Sequence, residues 1–222
     1  MPFIKICGVQ TVHEARAALD CGATAIGLLV GVTHRAEDAI DAAEAEAIIR
    51  ALPDSAAPVM VTHLTRAEAV ADMAGRIGAR TVQVHGAMPL PDLLRLRALT
   101  PGMTLIRAVH VTGPDAVDDA RALAGLADAL VLDTRTEDRL GGTGRTHDWS
   151  ISRRIVEAVA PMPVYLAGGL SPGNVAAAIA RVRPSGVDVN SGVEHPDGRK
   201  DPARMAAFVA AALAAFGSAG TG

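Results

Sequence analysis

Short apolar, β-branched runs recur along the chain at residues 3–6, 24–30, 58–62, 80–84, 104–109, 128–132, 162–166 and 186–189. Amphipathic, alanine-rich segments alternate with them at 11–21, 41–52, 66–77, 90–98, 115–124, 150–159, 173–182 and 201–216. The first pattern predicts strands and the second helices. Several helices open on a polar or proline signal, among them Thr11, Pro89, Pro114, Ser171-Pro172 and Asp201-Pro202, as helix N-termini do. Strand-helix alternation with short connections implies a parallel sheet, and eight such units imply closure. The expected fold is therefore a single α/β domain, a (β/α)8 TIM barrel of parallel strands over residues 1–216, with 217–222 as a disordered tail. The rival is an open doubly wound sheet. No dinucleotide fingerprint follows the first strand, and the glycine-rich loops cluster late in the chain, where barrels place phosphate sites.

Composition narrows the picture. The chain has 222 residues, half of them hydrophobic, enough for one sizeable core and too few for two comfortable domains. Lys plus Arg is 21 against 24 for Asp plus Glu, with the charges scattered along helices and no basic run. That pattern describes solvated helix faces and excludes nucleic acid as the expected partner. The first residues read as a strand and no segment has the apolar length of a membrane span, so no membrane partner and a cytoplasmic location are expected. Cys7 and Cys21 share no metal or redox spacing, which fits a reducing compartment.

Three features carry chemistry. The run Lys5-Ile6-Cys7-Gly8 places a thiol directly after the first strand, and barrel active sites sit at the C-terminal ends of strands. The competing reading is a buried structural cysteine. Asp133 closes the apolar run before it. A carboxyl there faces the same rim and serves as an acid if its surroundings raise its pKa; otherwise it is a cap. Finally, Gly141-Gly142-Thr143-Gly144, Gly168-Gly169 and Ser191-Gly192 follow the sixth, seventh and eighth strands. One glycine pair means only a turn with positive φ, but three at successive strand ends point to backbone amides cradling a phosphate.

In these runs, and in Gln83-Val84-His85-Gly86, Asp148-Trp149, Leu166-Ala167-Gly168-Gly169-Leu170 and the stretch from Gly186 to Glu194, the chain resembles the phosphoribosylanthranilate isomerase family along nearly its whole length. The resemblance implies an Amadori rearrangement of N-(5-phosphoribosyl)anthranilate without cofactor or metal, the partner being this phosphorylated small molecule. It implies Cys7 as general base, Asp133 as general acid, and Arg35 as the holder of the anthranilate carboxylate. His85 and the phosphate loops Gly142, Gly144, Gly168, Gly169, Ser191 and Gly192 would complete the substrate site. Family members are monomers or homodimers.

The chain also departs from the family pattern. The arginine after the second strand stands in Val32-Thr33-His34-Arg35 where a Ser-Pro-Arg run is usual, and His147 stands where phenylalanine usually precedes Asp148-Trp149. His63, His85 and His110 end three consecutive strands. Converging imidazoles can bind a divalent metal, so a metal-assisted barrel acting on another phosphosugar or aglycone is one alternative reading. A barrel that binds phosphate without catalysis is another. Histidines that merely line the pocket leave the first reading in place. The polar stretch 135–139 reads as a flap over substrate.

Overall fold

The computed structural model describes residues 1–32, 38–136, 139–140 and 146–219. Eight parallel strands, β1 (Phe3–Ile6), β2 (Ala25–Leu29), β3 (Ala57–Thr62), β4 (Thr81–Val84), β5 (Thr104–His110), β6 (Ala129–Asp133), β7 (Val164–Leu166) and β8 (Gly186–Val189), close into a barrel. Their helices are α1 (Val12–Asp20), α2 (Ala42–Ala51), α3 (Ala67–Ile77), α4 (Leu90–Leu99), α5 (Ala116–Leu123), α6 (Trp149–Val159), α7 (Val175–Val182) and α8 (Pro202–Ala219). Each strand pairs with the next, and β8 returns to β1 with Phe3 opposite Gly186 and Ile6 opposite Val189. The expected (β/α)8 architecture is the observed one.

Local chemistry explains the boundaries. Thr11 caps α1 by accepting from Glu14 N–H at 3.1 Å, and α2 starts with a reciprocal capping box between Asp41 and Glu44, satisfying donors that a helix leaves orphaned. Besides shifts of a residue or two at other element ends, three differences from expectation stand out. β7 begins at Val164, two residues late, because Pro163 has no N–H for a ladder. The last helix continues through Ala219, so the tail expected from 217 onward is helical for its first three residues. In the stretch read as a flap, Arg135–Thr136 pairs antiparallel with Arg139–Leu140.

The strand alternation separates two cores. Ile4, Ile6, Leu28, Met60, Val82, Leu130 and Leu132 face the helices, where they meet Leu93, Leu96, Ile155 and Phe208. Burying a side chain such as Leu93 contributes about 2 kcal/mol. Ala25, Leu29, Val59, Val61, Ile106, Ala108, Ala129 and Val131 fill the barrel interior with Cys7 at its C-terminal end. Because successive strand residues point to opposite faces, this interior parity runs on through Cys7, His63, His85, His110, Asp133 and Asn190, and delivers all of them to one mouth. No helix among the described residues is long and apolar enough to cross a membrane.

Candidate active site

Cys7 follows the last residue of β1 and donates its N–H to Val189 O at 2.8 Å. Two glycines near it sit where a side chain has no room. A Cβ built at Gly27 on β2 would lie 2.7 Å from the Cys7 sulfur, and one at Gly8 would lie 2.5 Å from both Asn190 Oδ1 and Asp38 Oδ2. Gly8 also turns at φ +70°, a conformation that suits glycine. Burial pushes the thiol up to about 12, with the Lys5 ammonium pulling the other way. In the free protein Cys7 is a thiol.

Asp133 ends β6 and is 8% exposed. Its Oδ1 accepts the Thr134 N–H at 2.7 Å, and its Oδ2 lies 3.3 Å from His85 Nε2. Burial pushes this carboxyl up to about 7, helped by the neighbouring Asp188 and opposed by the Thr134 N–H and by Lys5. A carboxylic acid half protonated near neutrality is poised to donate a proton.

Beneath this pair the barrel holds a polar layer. Lys5 is fully buried, pairs with Asp188 at 3.0 Å, and donates to Gln83 Oε1. Burial works against its charge, but Asp188 and the neighbouring Cys7 and Asp133 outweigh that and raise its pKa. Gln83 Nε2 lies 3.2 Å from His85 Nδ1. The His85 ring sits between His63 and His110 at centroid distances of 5.3 and 5.1 Å. Burial first, and then the adjacent positive or protonatable groups, hold its pKa well below the ordinary value. Its backbone is clamped as well. Arg107 donates to Val84 O at 2.9 Å and Gly86 O at 2.8 Å, and His110 Nε2 lies 3.1 Å from His85 O.

The metal alternative draws no support from this geometry. Both His85 nitrogens face protein partners, and among the described residues no group of three or more His, Cys, Asp or Glu is arranged to hold a metal ion. His63, His85 and His110 are neighbours around a rim without forming a ligand set.

The loops after β7 and β8 come together at the same mouth. Gly168 and Gly169 adopt φ +79° and +67°. A Cβ at Gly168 would lie 2.7 Å from Thr134 N and 3.0 Å from Asp133 Oδ1, so this glycine lets the loop close against the acid. Asn174 braces it, accepting from Ser171 N–H at 2.8 Å and donating to Gly169 O at 2.9 Å. Ser191 opens a short 3-10 turn, and Gly192 packs so closely on Leu170 O that any Cβ would collide. Arg35, Gly142 and Gly144 lie outside the described residues, as do Thr33 and His34.

A profile of the N-(5'phosphoribosyl)anthranilate (PRA) isomerase family matches residues 4–211. The chain belongs to the phosphoribosylanthranilate isomerase family. An N-(5'-phosphoribosyl)anthranilate isomerase of Methanocella arvoryzae is 42% identical over 210 residues, covering 94% of this chain and 97% of its own length. One from Methanosarcina mazei is 41% identical over 208 residues, with coverage of 93% and 92%. Among solved structures, the phosphoribosyl anthranilate isomerase of Thermotoga maritima superposes with a TM-score of 0.85 at 31% identity, covering 96% of this chain and all of that one. Another isomerase structure, in complex with reduced 1-(o-carboxyphenylamino)-1-deoxyribulose 5-phosphate, gives 0.82 at 29% identity, with the same coverage.

Within this phosphoribosylanthranilate isomerase scaffold, several residues given no role at the sequence level hold the site together. Asn190 donates to Asp38 Oδ2 at 2.7 Å, and Lys200 donates to Asn190 Oδ1 at 2.5 Å and Glu194 Oε1 at 2.6 Å. This cluster ties the loops after β2 and β8 beside Gly8. His147 contacts Thr134 Oγ1 at 3.0 Å and Ser152 Oγ at 2.6 Å, so it anchors the chain between β6 and α6. Burial pushes it down to about 4. Lys5, Gln83 and Asp188 had a readable signal: each is a charged or amide side chain at an inward position of a buried strand. Arg107 lies on the opposite parity, and its carbonyl partners come from another strand end.

Proposed function

We propose that this chain converts N-(5-phosphoribosyl)anthranilate to 1-(2-carboxyphenylamino)-1-deoxyribulose 5-phosphate by an Amadori rearrangement, with Asp133 as general acid and Cys7 as general base. The observation that carries this reading is the pairing of two differently tuned groups at one barrel mouth. The carboxyl is raised until it holds a proton near neutrality, and a thiol stands on the same rim, with β7 and β8 between them.

The order of steps follows from that tuning. Asp133 delivers its proton to the furanose ring oxygen, the C1–O bond breaks, and the nitrogen lone pair forms a protonated Schiff base. The cation makes the C2 proton acidic and favours a thiolate beside it, joining Lys5 and Lys200 in opposing the burial of charge on Cys7. The Cys7 thiol gives up its proton to solvent as the cation forms, and the thiolate then takes the C2 proton. The resulting enolamine ketonises as C1 gains a proton and the C2 hydroxyl loses one, so atoms balance without an oxidant or reductant. After ring opening, the Asp133 carboxylate rests on the Thr134 N–H and faces His85 Nε2.

By family resemblance Arg35 holds the anthranilate carboxylate in a two-pronged contact that lysine could not reproduce, and Gly142, Gly144, Gly168, Gly169, Ser191 and Gly192 receive the phosphate. Two free thiols fit work in a reducing cytoplasm. The test is turnover of freshly generated phosphoribosylanthranilate in the presence of a chelator, followed by loss of anthranilate fluorescence. Activity that survives chelation and disappears in Cys7→Ala is expected. Turnover that requires added zinc or manganese, or that survives in Cys7→Ala, refutes the assignment.

A further inference from the structure

The polar chain under the mouth has a direction that donor and acceptor chemistry determines. Lysine ammonium donates only, so the Gln83 atom facing Lys5 must be its carbonyl oxygen, and the Gln83 NH2 group must face the His85 ring. Reversing the amide would set its NH2 against the ammonium. An NH2 group donates only, so His85 Nδ1 accepts. Burial among cations keeps the ring neutral, and a neutral imidazole with an accepting Nδ1 carries its hydrogen on Nε2. That nitrogen faces Asp133 Oδ2 at 3.3 Å.

We propose that Gln83, oriented by the buried Lys5, is a positioning residue that holds His85 in its Nε2–H tautomer, so that His85 and the Thr134 N–H each donate to one oxygen of Asp133 and leave its acidic proton directed to the barrel mouth. With one lone pair of each oxygen occupied by a fixed donor, the proton of the neutral acid has only the remaining directions. The opposite tautomer would aim an Nε2 lone pair at Asp133, and that imidazole would compete with substrate for the proton. The clamp on the carbonyls of Val84, His85 and Gly86 fixes the backbone from which the ring projects.

The inference rests on Asp133 being the acid, and the experiment separates the two. Histidine labelled with ring 15N reports the tautomer directly, with His85→Gln providing the assignment by its missing signals. The wild-type protein should show a protonated Nε2 and a bare Nδ1 at position 85. Gln83→Glu places an acceptor on both sides of the contact, which pulls the hydrogen to Nδ1. In that variant kcat should fall at least about tenfold with KM within about twofold, because the loss lies in the proton-transfer step rather than in binding. His85→Gln keeps an N–H near the place of Nε2 and should retain more kcat than His85→Leu. An Nδ1–H tautomer in the wild type overturns the proposal, whether or not the Gln83 variant folds. So does a Gln83→Glu protein with a switched tautomer and unchanged kcat. If instead Asp133→Asn is fully active, the acid assignment fails, while the wild-type spectrum still decides the wiring of Lys5, Gln83 and His85.

Discussion

Adding a single methyl group at Gly27 should disable the site while sparing the fold. The new Cβ would lie 2.7 Å from the Cys7 sulfur, 3.0 Å from Cys7 Cα and 3.2 Å from Cys7 Cβ, where unstrained contacts are about 3.5–4 Å. The strand cannot retreat, because the Cys7 N–H is bound to Val189 O and β1 is paired on both sides. The thiol must therefore move by about 1 Å. Overpacking of this kind costs about 1–3 kcal/mol, and a displacement of about 1 Å at a reacting group costs about a hundredfold in rate. Gly75, inside α3 with nothing within 4 Å of where a methyl would stand, is the matched control. Gly75→Ala should gain about 0.5–1 kcal/mol from helix propensity and keep full kcat. Urea unfolding and steady-state fluorescence assays on both variants check this. Wild-type kcat in Gly27→Ala, or a loss matching only its unfolded fraction, refutes the packing argument.

Other substitutions probe the same network. Asp133→Asn should lower turnover at least about a hundredfold and stabilise the protein above neutral pH. Its folded pKa of about 7 exceeds the ordinary 3.8, so the wild type loses stability as pH rises between those values and the variant does not; equal unfolding profiles at about pH 4.5 and 8 would contradict this. His147 is shifted the opposite way, from 6.5 to about 4, so the wild type loses stability as pH falls through that window. His147→Phe leaves Thr134 and Ser152 without that partner and should be less stable near pH 7, with the gap narrowing toward about pH 4.5; a gap independent of pH would count against the anchor. Arg107→Leu strips the donors from the carbonyls of Val84 and Gly86, and should cost about 1–3 kcal/mol together with part of kcat; unfolding and rate measurements that match the wild type would remove its role as a clamp.

The elements were legible because their causes are local. The run Thr-Val-Gln-Val and the box from Asp41 to Glu44 carry their own strand and helix instructions, so β4 and α2 fall within a residue of expectation. Cys7 and Asp133 were legible for a related reason: each is a reactive group directly at the end of an apolar run, and a closed parallel barrel brings all such ends to one rim. The three histidines were legible as neighbours but not as to what they bind.

The sequence by itself determined the alternation, the closure into a barrel, the family and the two rim residues that carry the proposed acid-base chemistry. Only the tertiary structure decided how those residues are tuned and held. Lys5 meets Gln83 across 78 positions of chain, Glu14 meets Arg199 across 185, and no local spacing encodes such pairs. Burial, which lifts Asp133 and Cys7 and depresses His85 and His147, is likewise a property of the assembled barrel. Desolvation depends on every strand that surrounds a group, whereas a strand or a helix cap depends on the few residues beside it.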